Sequence, residues 1–244
     1  MNIEVEREYL PIFWTNYYIK NNFGNLLDGE LQKCIDSLDR NKKYFTIIQY
    51  DDNILEDLRD LDILIFSQGG FGKYKERSYV IPLNCQMSNN QTVENKDIFT
   101  SFVGSINGRH HIREKIKIVL DPQKYKISES TGYDNFIDTM SRSVFSLCPR
   151  GYGQTSFRIH ESLNFGSIPV YIYDDPLLPF NDLFDFSDIG IAIHIEEIEN
   201  LDRILESIDN EEMSRLRENG KLIYKNFFEY EGCFDRILNK LKNK

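Results

Sequence analysis

Short apolar runs alternate with amphipathic stretches along nearly the whole chain. Runs rich in Ile, Val, Phe and Tyr at 10–14, 44–49, 63–67, 80–83, 100–104, 116–120, 144–147, 168–173 and 189–195 predict strands. The most continuous of them, such as 144–147, read as strands buried on both faces, as in parallel sheets. Between them, helical spacing predicts helices over 26–38, 112–116, 135–141, 155–165, 197–208 and 211–228, and a last amphipathic stretch over 233–241. Strands alternating with helices predict βαβ units and an α/β fold with mostly parallel sheets. The polar, Asn-rich segment "NCQMSNNQTVENKD" (84–97) interrupts the pattern as a linker does. Two α/β halves are therefore expected, 1–97 and 98–228, with the final stretch 229–244 completing the first.

Composition changes this picture little. The chain has 244 residues, 41% hydrophobic and 28% charged, enough for a sizeable core and unlike a disordered chain. Its net charge of −10, without any long Lys/Arg run, argues against a broad nucleic-acid-binding face, which needs a basic footprint. Cys34, Cys85, Cys148 and Cys233 are scattered and form no C-x-x-C pair, so reduced thiols are expected rather than a zinc site. The start "MNIEVEREYLPIFW" is unlike a secretory signal, and no apolar run reaches membrane-spanning length. A cytoplasmic protein is the expectation from these features.

The stretch with most chemistry is "SLCPRGYGQTSFRIHESLNFGSIPVYIYDDPLLPF" (146–180). It reads as strand, glycine-bearing loop, helix, strand, and two adjacent carboxylates. Gly151 and Gly153 let a backbone turn tightly and approach a ligand. Thr155 or Ser156 is placed to cap the helix, whose free N–H groups and dipole make an anion site. Arg150 and Arg158 flank it, and a guanidinium fork suits phosphate. Arg158 and Glu161, three apart, share a helix face. Glu161 either accepts from a ribose diol or simply pairs with Arg158 on the surface. Asp174 and Asp175 fall at the carboxyl end of a strand, where open α/β sheets bind ligands, or else begin a loop before Pro176. Neither a Walker loop nor G-x-G-x-x-G is present. The residues alone indicate a nucleotide or phosphate-ester site on an α/β sheet.

The same string resembles the C-terminal signature of exostosin-type glycosyltransferases: a Cys-Pro-Arg-Gly loop, a Ser-x-Arg helix start, Glu-(Ala/Ser)-Leu, a Gly-x-Ile-Pro-Val strand, and Leu-Pro-Phe after acidic residues. "LPIFWTNYY", "FTIIQYDD", "IFSQGGFG" and "FVGSINGRHHIR" are weaker echoes over most of the chain. The resemblance implies a GT-B-like architecture of two Rossmann-like domains facing across a cleft. It implies inverting sugar transfer from a UDP-sugar to a hydroxyl of an oligosaccharide or glycoprotein glycan, with no required metal or cofactor. UDP-xylose is the first candidate donor, because a short chain suits a small pocket. The chain is shorter than animal and plant relatives and shows no anchor or stem, like the reduced forms that large DNA viruses encode. Carried over by position, Arg150, Arg158, Ser156 and the helix amides would hold the diphosphate, with Arg109 or Arg113 as a further cation. Glu161 would bind the ribose, the backbone around Cys148 and Pro149 the uracil, and Asp174 and Asp175 would lie near the donor sugar or shape the cleft. Fixed donors of this kind stabilise the charge that grows on the departing UDP.

Inversion also needs a base on the opposite face. Asp51 and Asp52 in "IIQYDD" are preferred over Glu76; in extended chain they would point to opposite sides, leaving one for the cleft, or both would cap a following helix. The loop 69–72, with Gly70 and Phe71, reads as a close approach to donor or acceptor, or as a surface turn. Trp14, Tyr17 and Phe71 are the candidate aromatic contacts for an acceptor. His110 and His111 read as solvated, and Asp60 and Asp62 precede a strand rather than following it, the wrong context for a metal-binding Asp-x-Asp. The rival is a non-catalytic partner subunit that keeps the fold; a homodimer or hetero-complex is left open.

Overall fold

A computed structural model describes residues 5–85, 93, 95–106, 111–129 and 132–242. They form two wholly parallel sheets. The first orders β1 (Glu8–Tyr9), β2 (Lys43–Ile48), β3 (Asp62–Ser67) and β4 (Ser78–Val80) in sequence. The second orders β6 (Tyr125–Ser128), β5 (Ile98–Val103), β7 (Ser143–Pro149), β8 (Ile168–Tyr173) and β9 (Ile191–His194), so the chain starts near one edge and then winds outward on the other side. Helices α1 (Trp14–Lys20) and α2 (Glu30–Asp36) cover the first sheet; α3 (Ile112–Val119), α4 (Tyr133–Arg142), α5 (Phe157–Asn164), α6 (Leu201–Glu206) and α7 (Asn210–Ile223) serve the second.

The β3, β7 and β8 runs are buried along almost their whole length, as the continuous apolar pattern requires. Two expectations fail. Residues 10–14 are not a strand; the segment that follows is the helix α1, in which Trp14 and Tyr18, one turn apart, are both buried. Its aromatic composition favours strands, and packing of that face overrides the preference. Residues 116–120 continue helix α3, where Ile112 and Ile116 are the buried pair, and the strand forms later at Tyr125–Ser128.

After α7 a π-helical turn, Tyr224–Phe228, and an extended Glu229 redirect the chain into α8 (Tyr230–Lys242). That helix packs on the first sheet. Cys233, Ile237 and Leu241 join Leu64, Phe66, Ile81 and Phe180 in one cluster. Among the described residues, no helix is long and apolar enough to cross a membrane.

Candidate active site

The halves meet at the carboxyl ends of their strands, where two turns interlock. On the first half, Tyr50–Asn53 is a tight turn: the Asn53 N–H donates to the Tyr50 carbonyl (3.0 Å), and Asn53 lies at φ 60°. On the second, the loop 150–154 follows β7. Gln154 N–H donates to the Gly69 carbonyl (3.3 Å), and the Gly153 N–H reaches the Asp51 carboxylate. Glycine is required here for space. A Cβ on Gly153 would stand 2.2 Å from Asp51 Oδ1, and one on Gly70 would stand 2.3 Å from the Asp51 carbonyl oxygen. Gly70 is therefore a packing residue under Asp51, not the acceptor contact expected of it.

The turn also changes the reading of the two acids. Alternation would have sent Asp51 and Asp52 to opposite sides, but it applies only to extended chain. Both carboxylates line one cleft of about 940 Å³, and no helix follows for them to cap. Burial raises the Asp51 pKa above its ordinary value; the neighbouring Asp52 adds to this, while Arg150 and the Gly153 N–H oppose it. Asp52 accepts from the Tyr152 hydroxyl of the other half (3.3 Å). Glu76 lies exposed on the short turn Lys75–Arg77, outside the residues lining this cleft.

All three expected aromatic contacts are elsewhere. Trp14 is 1% exposed and its indole N–H donates to Thr46 Oγ1 (2.8 Å), so it is a core residue. The Tyr17 hydroxyl is committed to Asp28 Oδ1 (2.8 Å), and burial with that hydrogen bond pushes its pKa to about 12. Phe71 faces a separate cavity of about 190 Å³ beside Tyr79, Phe180 and α8. The rings that do line the cleft are Phe23 and Tyr50 from the first half and Tyr152 and Phe157 from the second. Tyr152 and Phe157 flank the glycine loop and lie within the motif itself; Phe23 sits in "NNFG", a turn signal without an obvious chemical one.

On the second half, Ser156 caps α5, its hydroxyl accepting from the Arg158 N–H (3.3 Å). Arg158 lies over the Phe136 ring (4.4 Å to the centroid), donates to the Val103 carbonyl, and pairs with Glu161. The pair is largely buried, with side chains 18% and 13% exposed, so it is not the solvated surface pair of the simpler reading. The Arg158 Nε–H is buried without a hydrogen-bond partner among the described residues. Arg113 stands close by, donating to the carbonyls of Arg150 (3.3 Å) and Ser105 (3.1 Å). Burial depresses its pKa and the Arg158 charge depresses it further. Glu161 opposes this, so two guanidiniums and one carboxylate leave net positive charge beside the capped helix start. Arg109 and His110 lie outside the described residues; His111 is exposed and pairs with Glu114 (2.7 Å).

Arg150 differs from its expected role. It is 7% exposed, and it donates to Asp174 Oδ1 (2.6 Å), the Gly153 carbonyl (3.1 Å) and the Tyr152 carbonyl (3.0 Å). These bonds turn the guanidinium back into its own loop, as a brace rather than a direct diphosphate ligand. Asp174 is the other end of the brace: burial opposes its ionisation, but the Arg150 hydrogen bond and charge win, leaving its pKa below the ordinary range. Asp175 accepts from the Gln154 side chain. Both acids thus shape the loop. Cys148 and Pro149 end β7 fully buried; the Cys148 thiol donates to the Ser146 carbonyl (3.2 Å) and burial raises its pKa to about 12, so neither side chain is open to a ligand.

Two parallel-sheet halves meeting at their carboxyl edges define a GT-B-like fold. The architecture is similar to that of TarM, with a TM-score of 0.52 at 10% identity over 88% of this chain and 53% of that one. It is also similar to an alpha-glucosyltransferase solved with UDP and a 13-mer DNA, with a TM-score of 0.51 at 13% identity over 90% and 78%. The family follows from sequence: the model of the Exostosin GT47 domain matches residues 65–208, more than half of the chain, and the chain belongs to that family. A probable glucuronosyltransferase of Oryza sativa subsp. japonica is 37% identical over 116 residues, 45% of this chain and 27% of the relative. A probable beta-1,4-xylosyltransferase of Arabidopsis thaliana is 41% identical over 80 residues, 33% and 19% respectively. The matched region thus spans about a quarter or less of these relatives' length.

Proposed function

We propose that the protein is a glycosyltransferase that moves a sugar from a UDP-sugar to a hydroxyl of a glycan, with inversion and without a metal. The observation that carries this reading is the Arg158–Glu161 pair with Arg113 at the capped start of α5. The two cations and the helix amides would hold the diphosphate and stabilise the charge that develops as UDP departs. Fixed positive charge in that position supplies what a metal ion supplies in other transferases. Glu161, already held by Arg158, has a carboxylate oxygen to offer the ribose. Arg150, Asp174 and Gln154 keep the loop in shape around the uracil and sugar.

Across the cleft, Asp51 is the favoured base. Its pKa is raised, towards the range where a general base works best. The presence of both acids in the cleft favours a catalytic chain over a non-catalytic partner. Relatives named for xylosyl and glucuronosyl transfer make UDP-xylose and UDP-glucuronate the first donors to test. The carboxylates of Asp51 and Asp52 in the cleft favour the uncharged pentose.

The test is calorimetric titration with UDP, UDP-xylose and UDP-glucuronate, with and without chelator. Binding that ignores the chelator and falls about tenfold or more in Arg158→Ala supports the site. Glu161→Ala should weaken it as well. Absence of binding to every uridine nucleotide would remove the donor-site assignment and leave the non-catalytic reading ahead.

A further inference from the structure

Phe23 is held in a costly arrangement that the core does not need. Asn22, Phe23 and Gly24 lie at φ 51°, 54° and 82°, three successive left-handed residues. A phenylalanine there is strained by roughly 1–2 kcal/mol relative to glycine. The ring gains no burial in return, being 63% exposed. The conformation is fixed from behind: the hydroxyl of Tyr50, the residue before Asp51 in the chain, donates to the Phe23 carbonyl (3.0 Å). Strain retained where packing gives no reason for it points to a ligand.

The ring lines the cleft that holds Asp51 and Asp52, and Phe157, 40% exposed, lines it from the other half. Among the described lining residues there are two carboxylates and no Lys, Arg or His. At about 940 Å³ the cleft is near the upper end of ligand-pocket sizes, about 300–1,000 Å³, with room for more than one sugar ring. Aromatic faces attract the polarised C–H groups of a sugar, and the carboxylates repel anionic substituents.

We propose that Phe23 and Phe157 are stacking platforms for an uncharged oligosaccharide acceptor, and that Asp51 and Asp52 exclude chains bearing uronate, sulfate or phosphate. The assignment rests on the glycosyltransferase reading for its purpose, but its binding test does not use the donor. The full chain is titrated, without nucleotide, with a neutral panel (xylohexaose, cellohexaose and mannohexaose) and with hexagalacturonate. At least one neutral hexamer is expected to bind in the millimolar range, and hexagalacturonate about tenfold more weakly or not at all. Phe23→Gly should weaken the neutral hexamer about tenfold while leaving UDP affinity unchanged and thermal stability equal or higher, since glycine relieves the turn. Phe23→Asn, which also tolerates the left-handed region, and Phe157→Ala should repeat the loss. Equal or tighter binding of hexagalacturonate, no neutral binding, or unchanged affinity in all three variants overturns the proposal. Loss of UDP binding with neutral-hexamer binding intact would instead sink the donor reading alone.

Discussion

The two halves carry opposite charge at their facing edges, and they hold it differently. On the second sheet, Arg113 and Arg158 are held by carbonyls, an aromatic face and one carboxylate, all within one half. On the first, Asp51 packs on Gly69 and Gly70 of its own half and meets Gly153 and the Arg150 charge of the other. The basic edge is thus held within its own half, while the acidic edge is held by both halves.

The largest expected effect tests the acidic edge. Asp51→Asn should lower the transfer rate by about 10²–10⁴-fold while UDP affinity is preserved. The rate of the unaltered protein should fall with acid through a pKa above the ordinary aspartate range, and the variant should lose that limb. Stability should move the other way. Because the folded-state pKa is raised, ionised Asp51 costs stability at neutral pH, a cost that disappears as pH falls through that value. The variant should therefore melt at the same or a higher temperature. A variant that retains the full rate would transfer the base role to Asp52 or beyond.

Next comes the junction. Gly153→Ala places a Cβ 2.2 Å from Asp51 Oδ1 and 3.0 Å from the Gly69 carbonyl, so the turns must separate. A loss of about 1–3 kcal/mol in chemical denaturation is expected, together with a lower Asp51 pKa as water enters. Unchanged stability and pH profile would mean that the halves are not coupled through this contact.

The smallest effect concerns the seam behind the cleft. His160 on α5 is buried, lies 3.4 Å from the Cys85 thiol, and hydrogen-bonds the Phe228 carbonyl, joining segments that cross between the halves. Burial lowers its pKa to about 4. The unfolded chain takes up a proton first, so stability should decline as pH falls from the ordinary histidine range towards that value. His160→Gln should flatten this slope in a denaturation series across pH. An identical slope would assign the acid sensitivity to other groups.

What the sequence made legible follows the range of the interactions. The β7–loop–α5–β8 unit depends on neighbours in sequence, with a short apolar strand, turn glycines and a capping serine, and its edge could be placed from residues 146–180. From sequence Arg150 has the character of a ligand, because a cation in a phosphate-like loop looks alike whether it points out or in; only Asp174, 24 residues away, decides. The first half was harder. Trp14, Tyr17 and Phe71 carry the composition of sugar contacts, but burial of Trp14, the Asp28 partner of Tyr17 and the α8 cavity beside Phe71 are set by distant segments. The turn at Tyr50–Asn53 put both acids on one face because it ends the extended geometry on which side-chain alternation depends.

The return of α8 to the first sheet has a consequence for biosynthesis. A chain emerging from the ribosome presents Leu64, Phe66 and Ile81 long before Cys233, Ile237 and Leu241 exist to cover them. The second sheet, whose strands span 98–194, has its partners much sooner. The half made first is therefore finished last, and its apolar face must be shielded, by a chaperone or by transient collapse, until synthesis is nearly over.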